Sequence, residues 1–455
     1  MKRYLKIAAI LLTAGTLEGA AQQTYSGYFL EDYTYGYQMN PAFGNSDNFV
    51  SMPGLGNLNV AMRGNLHLNS VLYNLNGETV LFTNPGIGEA QAMKKFHDKN
   101  RLETNINLNI MSAGFKAFGG YNTVSLGMRV NVEATVPKAF FQLAKEGIEN
   151  KTYDIRNLRA NANAYAQLAL NHSRDIKEVP GLRVGAAMKF YIGGANVDAY
   201  FDRAELQLGT DSWNAITNAN IYASANGWKY KMKYNDKTGR DYVSGVDYSF
   251  KGLNGFGIGF DLGAQYKWRD FNFSLALLDL GFISWGKTQW ASTNGDREVR
   301  TDAYTFNAND EASNSFKNEW RRLRDDLSDL YELSDNGELS SRTRGMAATL
   351  NIGVDYEFPI YRPLHFGFLS STVINGPYTW SQARFSANVK PVNWVSASAN
   401  LEVSTFGAGF GWLVNFYTKG INLFLGMDHT MGKLAKQGVP LNSNAAVNFG
   451  LNFPF

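Results

Sequence analysis

Cysteine is absent from the 455 residues, which removes disulfides, thiolate metal sites, thiol nucleophiles and the lipid-bearing cysteine of a lipoprotein together. Charge of one sign is also scarce. The formal net charge is +3 with 18% charged residues, so no basic field exists to draw in nucleic acid or an anionic membrane surface. Proline is held to 11 residues while glycine reaches 45 and aromatics 14%, a mix that suits many strands with tight turns and not a helical enzyme. The five histidines, His67, His97, His172, His365 and His429, stand apart without the spacing of metal ligands. Beyond the N-terminal residues no apolar run approaches the ~20 residues of a transmembrane helix. Any crossing of a membrane has to be made by strands.

What is present begins with an export signal. Lys2, Arg3 and Lys6 precede an apolar stretch from Ile7 to Ala14, and the small residues Gly19, Ala20 and Ala21 follow. A signal peptide over residues 1–21 is predicted, because the apolar stretch reaches only ~12 Å as helix against ~30 Å of hydrocarbon. After Gln22 the dominant pattern is strict alternation, the period of a strand. Between Leu102 and Ser112, the apolar Leu102, Ile106, Leu108 and Ile110 oppose the amides Asn105, Asn107 and Asn109. The run from Leu182 to Ile192 interleaves Arg183, Lys189 and Tyr191, and Phe256 to Trp268 interleaves Asp261, Gln265 and Lys267. Segments of about ten residues or more, greasy on one face and amide or charged on the other, match strands tilted across a bilayer around a wet lumen.

Connection lengths give a topology. Gly119 to Asn122, Trp268 to Asp270, Pro359 to Pro363, Lys390 to Asn393 and Thr418 to Gly420 are short turns. The intervening Thr135 to Asn157, Phe282 to Arg344, Ser371 to Tyr378 and Asp428 to Asn444 are mostly long. Outer-membrane barrels have short periplasmic turns and longer outer loops. With both ends periplasmic, parity counted back from Phe455 puts every short turn inside and every long loop outside. The count is about 16 strands, or about 14 if Ala195 to Asn254 is an outer extension.

Two loops carry helical pattern. Pro137 opens a run to Gly147 with proline at the favoured first helical position and glycine at the stop. Phe316, Trp320, Leu323, Leu327, Leu330 and Tyr331 recur at helical spacing within the long segment 282–344, predicting a helix over the barrel mouth. Catalytic signals are missing. His172 lies near Ser173 and Asp175, but neighbours along a strand point in different directions, and a triad is a matter of geometry. Asp325 and Asp326 sit among Arg322 and Arg324 as a solvated ionic face. The glycines from Gly252 to Gly263 fall within a strand and do not open a phosphate-cradling helix. No enzyme activity, cofactor or metal is expected.

The chain closes on Phe449-Gly450-Leu451-Asn452-Phe453-Pro454-Phe455. Gly450, Phe453 and Phe455 resemble the terminal signal read by the barrel-assembly machinery, which pairs with a strand edge and reads alternate side chains. Near the other end, Asn40-Pro41-Ala42 lies in a stretch rich in Tyr and Gly. It resembles the plug motif of FadL-type channels for hydrophobic compounds, although Asn before Pro also starts an ordinary turn. Together with Leu108-Asn109-Ile110-Met111-Ser112-Ala113-Gly114-Phe115, Val136-Pro137-Lys138-Ala139-Phe140-Phe141, Gly185-Ala186-Ala187-Met188-Lys189-Phe190 and Gly193-Gly194-Ala195, it resembles an uncharacterised family of Bacteroidetes outer-membrane barrels, known only as a domain of unknown function. That resemblance covers nearly all of the mature chain and favours 14 strands. It implies an all-β, closed antiparallel transmembrane barrel in the cell outer membrane, with a plug over residues 22–56, a barrel over 57–455 and short helices in outer loops. The more distant FadL likeness implies a monomer in outer-membrane lipid that binds or passively transports small hydrophobic molecules. The alternative is a non-transporting scaffold for secretion or surface interaction, suggested by the aromatic and doubly charged segment 282–344.

Overall fold

The computed structural model of the chain describes residues 24–146, 149–209, 212–236, 238–302, 330, 332–431 and 444–455. The expected signal peptide lies outside them, as does the helix expected over Phe316 to Tyr331 apart from Leu330.

The alternating segments form an up-and-down meander that closes into a fourteen-strand antiparallel barrel. Its first strand is made of two pieces, Phe49–Ser51 and Asn57–Gly64. Lys99–Ala117, Gly120–Pro137, Arg159–Asp175, Leu182–Leu208, Gly255–Trp268 and Phe271–Ser292 follow. The ring continues through Ala348–Glu357, Leu364–Ile374, Trp380–Val392, Val395–Ser404, Gly407–Thr418, Ile421–Asp428 and Ala445–Pro454. The last strand returns to the first, with Phe49 opposite Pro454 and Leu58 opposite Phe449. Closure leaves the ring no open edge, which matters because an unpaired backbone group in hydrocarbon costs several kcal/mol.

Residues 49–51, within the stretch 22–56, already belong to the wall, pairing with Pro454, Phe453 and Asn452. Three residues are too short a run for alternation to announce itself, and Pro53 and Gly54 interrupt the strand before it resumes. Ala195 to Asn254 does not cross the ring. Leu182–Leu208 runs on beyond it, Ser212–Ala225 folds back along that extension, and Trp228–Asn235 pairs with Arg240–Tyr248 as a separate hairpin. The segment 282–344 differs from the loop expected there. Phe271–Ser292 continues through it and pairs with Ser334–Gly345, so its described parts extend the sheet. The alternation simply persists, with Phe282 facing out and Ile283 and Trp285 buried. One connection at the long-loop end is also a tight turn, Ser404 to Gly407. The expected loop helix after Pro137 is present as Lys138–Glu146. Its Phe141 stacks on Phe96 with ring centres 4.0 Å apart, over a small apolar core that includes Tyr73 and Phe82.

The two faces of the wall divide sharply. Phe256, Leu262, Leu275, Phe385, Leu401 and Val403 point outward and are each more than half exposed. Asn59, Asn351, Asn415, Asn422, Asn448 and Asn452 point inward and are essentially inaccessible. If the outer face meets lipid, Leu401→Arg should destabilise the folded barrel by about 2–4 kcal/mol in liposomes, the range for a cation near mid-bilayer. Urea titration read by heat-modifiable gel migration measures it; an unchanged midpoint would contradict a lipid-facing Leu401.

Candidate functional site: the barrel interior

The interior is not an empty pore. Residues 24–47 run inside the ring, because their partners lie on strands all around it: Thr24 Oγ1 donates to Asn448 (3.0 Å), Tyr28 pairs with Ser274 (3.0 Å), Asn351 Nδ2 donates to Met39 O (2.9 Å), and Asn171 Nδ2 to Pro41 O (3.3 Å). Only a segment threaded through the lumen can reach opposite walls at once. Its aromatic side chains supply the core of the molecule, where Tyr25, Tyr28, Tyr33, Tyr35 and Tyr37 pack with Phe49, Leu413 and Phe424. The period-two amides of the wall thus have a second task beyond lining a wet channel. They provide the hydrogen bonds that a buried, non-sheet segment lacks.

The Asn40-Pro41-Ala42 motif has a defined seat. Asn40 is fully buried, its Oδ1 accepts from Ala42 N (2.9 Å) to close a turn, and its Nδ2 donates to the wall carbonyls of Ala264 (3.2 Å) and Leu275 (3.4 Å). Arg183 Nε donates to Ala42 O at 2.9 Å. Gly185 and Gly263 are register partners on neighbouring strands. A Cβ at Gly185 would collide with Pro41 O, and one at Gly263 with Asn40 Oδ1. Two motifs far apart in sequence, Asn-Pro-Ala and the Gly185 run, are therefore the two halves of one contact.

Towards the end of the barrel that bears the long connections, the interior opens into a chamber with Tyr25 at its edge. It offers about 110 Å³ to the centres of water-sized molecules, where one water needs roughly 10–15 Å³. Amides dominate the lining, joined by the aromatic faces of Tyr165, Trp285 and Trp380. The charges are largely paired within the wall. Arg63 meets Glu103 at 2.6 Å, Arg129 meets Asp279 at 2.9 Å, and Arg344 meets Asp198 at 2.7 Å. Glu133 accepts from Asn375 Nδ2 at 2.5 Å. The Arg63 guanidinium lies over the Trp380 ring, 3.8 Å from its centre.

One irregularity borders this chamber. The pairing of Gly255–Trp268 with Phe271–Ser292 slips between Phe260 and Leu262, and both Leu278 and Asp279 turn inward, Asp279 with a left-handed φ of 57°. A bulge of this kind re-aims side chains. Here it brings Asp279 to Lys189 (2.6 Å), Arg129 and the Tyr191 hydroxyl (3.1 Å), while Asp261 also meets Lys189 at 2.6 Å. Period-two reading found Lys189 and Asp261 on the inner face but not Asp279, since a bulge breaks the period that such a reading relies on.

The remaining sequence candidates are placed as follows. Gly450 lies on the inner face under Phe424, where a Cβ would strike both that ring and Gly56 O. Phe453 is on the outer face opposite Val50, and Phe455 is 70% exposed with its amide bonded to Asn48 O at 2.8 Å. His172 bonds Asn122 across the strand pair (2.9 Å), while Ser173 accepts from Arg183, so they form no triad with Asp175.

A family model, described as a family of unknown function (DUF5723), matches residues 41–428. No curated protein matches the chain. Among solved structures, the Pseudomonas putida toluene transporter TodX aligns at 9% identity over 91% of this chain and 92% of its own, with a TM-score of 0.40. A Pseudomonas aeruginosa FadL homologue aligns at 10% identity over 90% of each chain with a TM-score of 0.38. The translocator domain of the autotransporter NalP from Neisseria meningitidis aligns at 8% over 90% of each, with a TM-score of 0.30. Likenesses this shallow decide nothing about what enters the lumen.

Removing the Asn40 side chain leaves a buried turn without its acceptor, a loss of about 1–3 kcal/mol. Asn40→Ala and Gly263→Leu should therefore each release the segment, making its tyrosines cleavable by chymotrypsin while the wall keeps its heat-modifiable migration. Digestion as slow as in the unaltered protein would show that this seat does not hold the segment.

Proposed function

The chain belongs to that family of unknown function, and we propose that it is an outer-membrane barrel that binds small molecules in its luminal chamber and lets them pass passively when residues 24–47 shift. The observation that carries this reading is the division of the lumen: one end packed by a segment that is not part of the wall, the other holding a lined chamber. A wall strand cannot move without breaking the ring, whereas residues 24–47 form no strand pairing with it and are held by bonds in which at least one partner is a side chain and by the chain link into Phe49. They are the plug of this reading. If the short turns face the periplasm, the chamber lies on the outer side of the lumen, and the plug is its base.

The lining bears on cargo. Amides and paired charges desolvate poorly against an alkyl chain, so a polar molecule with some apolar surface suits the chamber better than the hydrophobic cargo first expected. Hydrophobic capture keeps one supporting observation. The loop core around Phe82, Phe96 and Phe141 is flanked by exposed Leu72, Leu81 and Phe140, a place for a greasy molecule to settle outside the lumen. We also propose that Gly450, Phe453 and Phe455 form the signal for the barrel-assembly machinery, Phe455 being 70% exposed just past the closing strand and Phe453 half-buried on its outer face.

Liposome swelling tests the gate. Vesicles holding the full chain should swell slowly in small sugars or amino acids, and vesicles holding the protein without residues 24–47 should swell several-fold faster. Should that deletion fail to fold, Asn40→Ala serves in its place. A folded, plug-released barrel no more permeable than protein-free vesicles would overturn the reading.

A further inference from the structure

Resting on the reading of the chamber as a binding site, we propose that its ligand is a neutral polyhydroxylated molecule, a mono- or disaccharide. Three properties of the lining point to this class. The first is charge. The cationic groups at the chamber are each engaged by an acid at 2.6–2.9 Å, Arg63 by Glu103, Arg129 by Asp279 and Arg344 by Asp198. An anionic ligand would have to compete with these acids for the guanidinium groups that remain, Arg63 keeping Nε and Nη1 without a hydrogen-bond partner and Asp198 being shared by Arg342 and Arg344, so citrate is the probe that separates the two classes. Glu133, opposite Glu103 on the neighbouring strand, is held by Asn375 Nδ2, and among the described residues no three acid or histidine side chains group to hold a metal ion.

The second property is the density of amides. Asn105, Asn131, Asn161, Asn163, Asn196 and Asn375 all line the chamber. Several are chained: Asn131 Nδ2 donates to Asn163 (2.6 Å), and Asn163 Nδ2 donates to Asn161 (3.3 Å). An amide has two N–H donors and an oxygen with two lone pairs, so each link in the chain retains both a donor and an acceptor. A hydroxyl also donates and accepts, and a ring bearing several of them is the complement of such a wall. Hydrocarbon offers nothing to these groups and would leave them unpaired at a cost of about 1–3 kcal/mol each.

The third is the aromatic contribution. Trp285 and Trp380 line the same space as the amides, and Trp380 is fixed in orientation by the Arg63 guanidinium on its face. A pyranose has polar edges and C–H faces; with one face of Trp380 covered by Arg63, the rings offer it edges and the remaining surface of Trp285 and Tyr165 beside the amides. The room available, on the order of ten waters, is that of a small molecule.

Isothermal titration of the detergent-solubilised full chain with glucose, maltose, laurate and citrate tests the assignment. Saturable binding is expected for glucose or maltose and none for laurate or citrate. Asn163→Ala, and separately Asn131→Ala, should weaken sugar binding roughly tenfold, the loss of about 1.4 kcal/mol, in protein that keeps its heat-modifiable migration. Saturation by laurate or citrate but by neither sugar overturns the ligand class, as does sugar binding indifferent to both folded variants. The swelling measurement is independent of these outcomes: passage without saturable sugar binding refutes only the saccharide assignment, while an impermeable plug-released barrel refutes the transport reading beneath it.

Discussion

Everything in this molecule follows from closing the ring between Asn57–Gly64 and Ala445–Pro454. Once the last strand pairs with the first, the backbone of the wall is satisfied within the wall, and the side chains alone decide what each face meets. Period two then sorts them without exception over most strands, Leu401 outward and Asn400 inward being adjacent in sequence and opposite in environment. The outward set needs an apolar surrounding. The inward set is the harder problem, because a lumen crowded with buried amides is unfavourable unless each amide finds a partner.

The N-terminal segment answers that need. Its backbone makes tight turns instead of sheet, so it has carbonyls and amide groups to share, and the inward asparagines are spaced to reach them. Asn351 and Asn171 donate to Met39 and Pro41 carbonyls, and Asn415 donates to Asp32 O at 3.1 Å. Between these polar contacts the tyrosine rings exclude water. Segment and wall are therefore complementary in chemistry, the segment supplying apolar bulk and backbone acceptors, the wall supplying donors. The Gly185–Gly263 pair shows the same complementarity in shape, since two missing side chains on partner residues leave the depression that Asn40 and Pro41 occupy.

Much of this architecture was legible in the sequence, and the limits of legibility have physical causes. Strand existence and the loop helix after Pro137 follow from periodicity and local end signals, properties of contiguous residues, whereas the choice of fourteen strands over sixteen rests on the family resemblance. Strand ends were not legible. Phe271–Ser292 continues beyond the ring because its alternation does not change where the ring's own pairing ends, and no residue marks that level. Asp279 was missed because a bulge shifts the phase of inward and outward positions. Asn40 was noticed for its dipeptide with Pro41, but its partners, Ala264 and Leu275, lie more than two hundred residues away and contribute backbone carbonyls, which no side-chain pattern encodes.

The same logic separates the two ends of the lumen. Where the segment is present, the wall amides are spent on it. Past Tyr25, the asparagines bond to one another, as Asn131, Asn163 and Asn161 do, and the charges pair across strands instead of reaching inward. Self-paired amides keep spare donors and acceptors, and Arg63, though paired with Glu103, keeps Nε and Nη1 as well. The chamber lining accordingly interleaves amides with ion pairs and with the rings of Tyr165, Trp285 and Trp380, so neither a run of free carboxylates nor an uninterrupted apolar surface is found among its described residues. The bulge at Asp279 contributes to this arrangement by re-aiming a carboxylate onto Lys189 and Arg129, so that a break in the strand period, and not the period itself, fixes the charges at this end of the lumen.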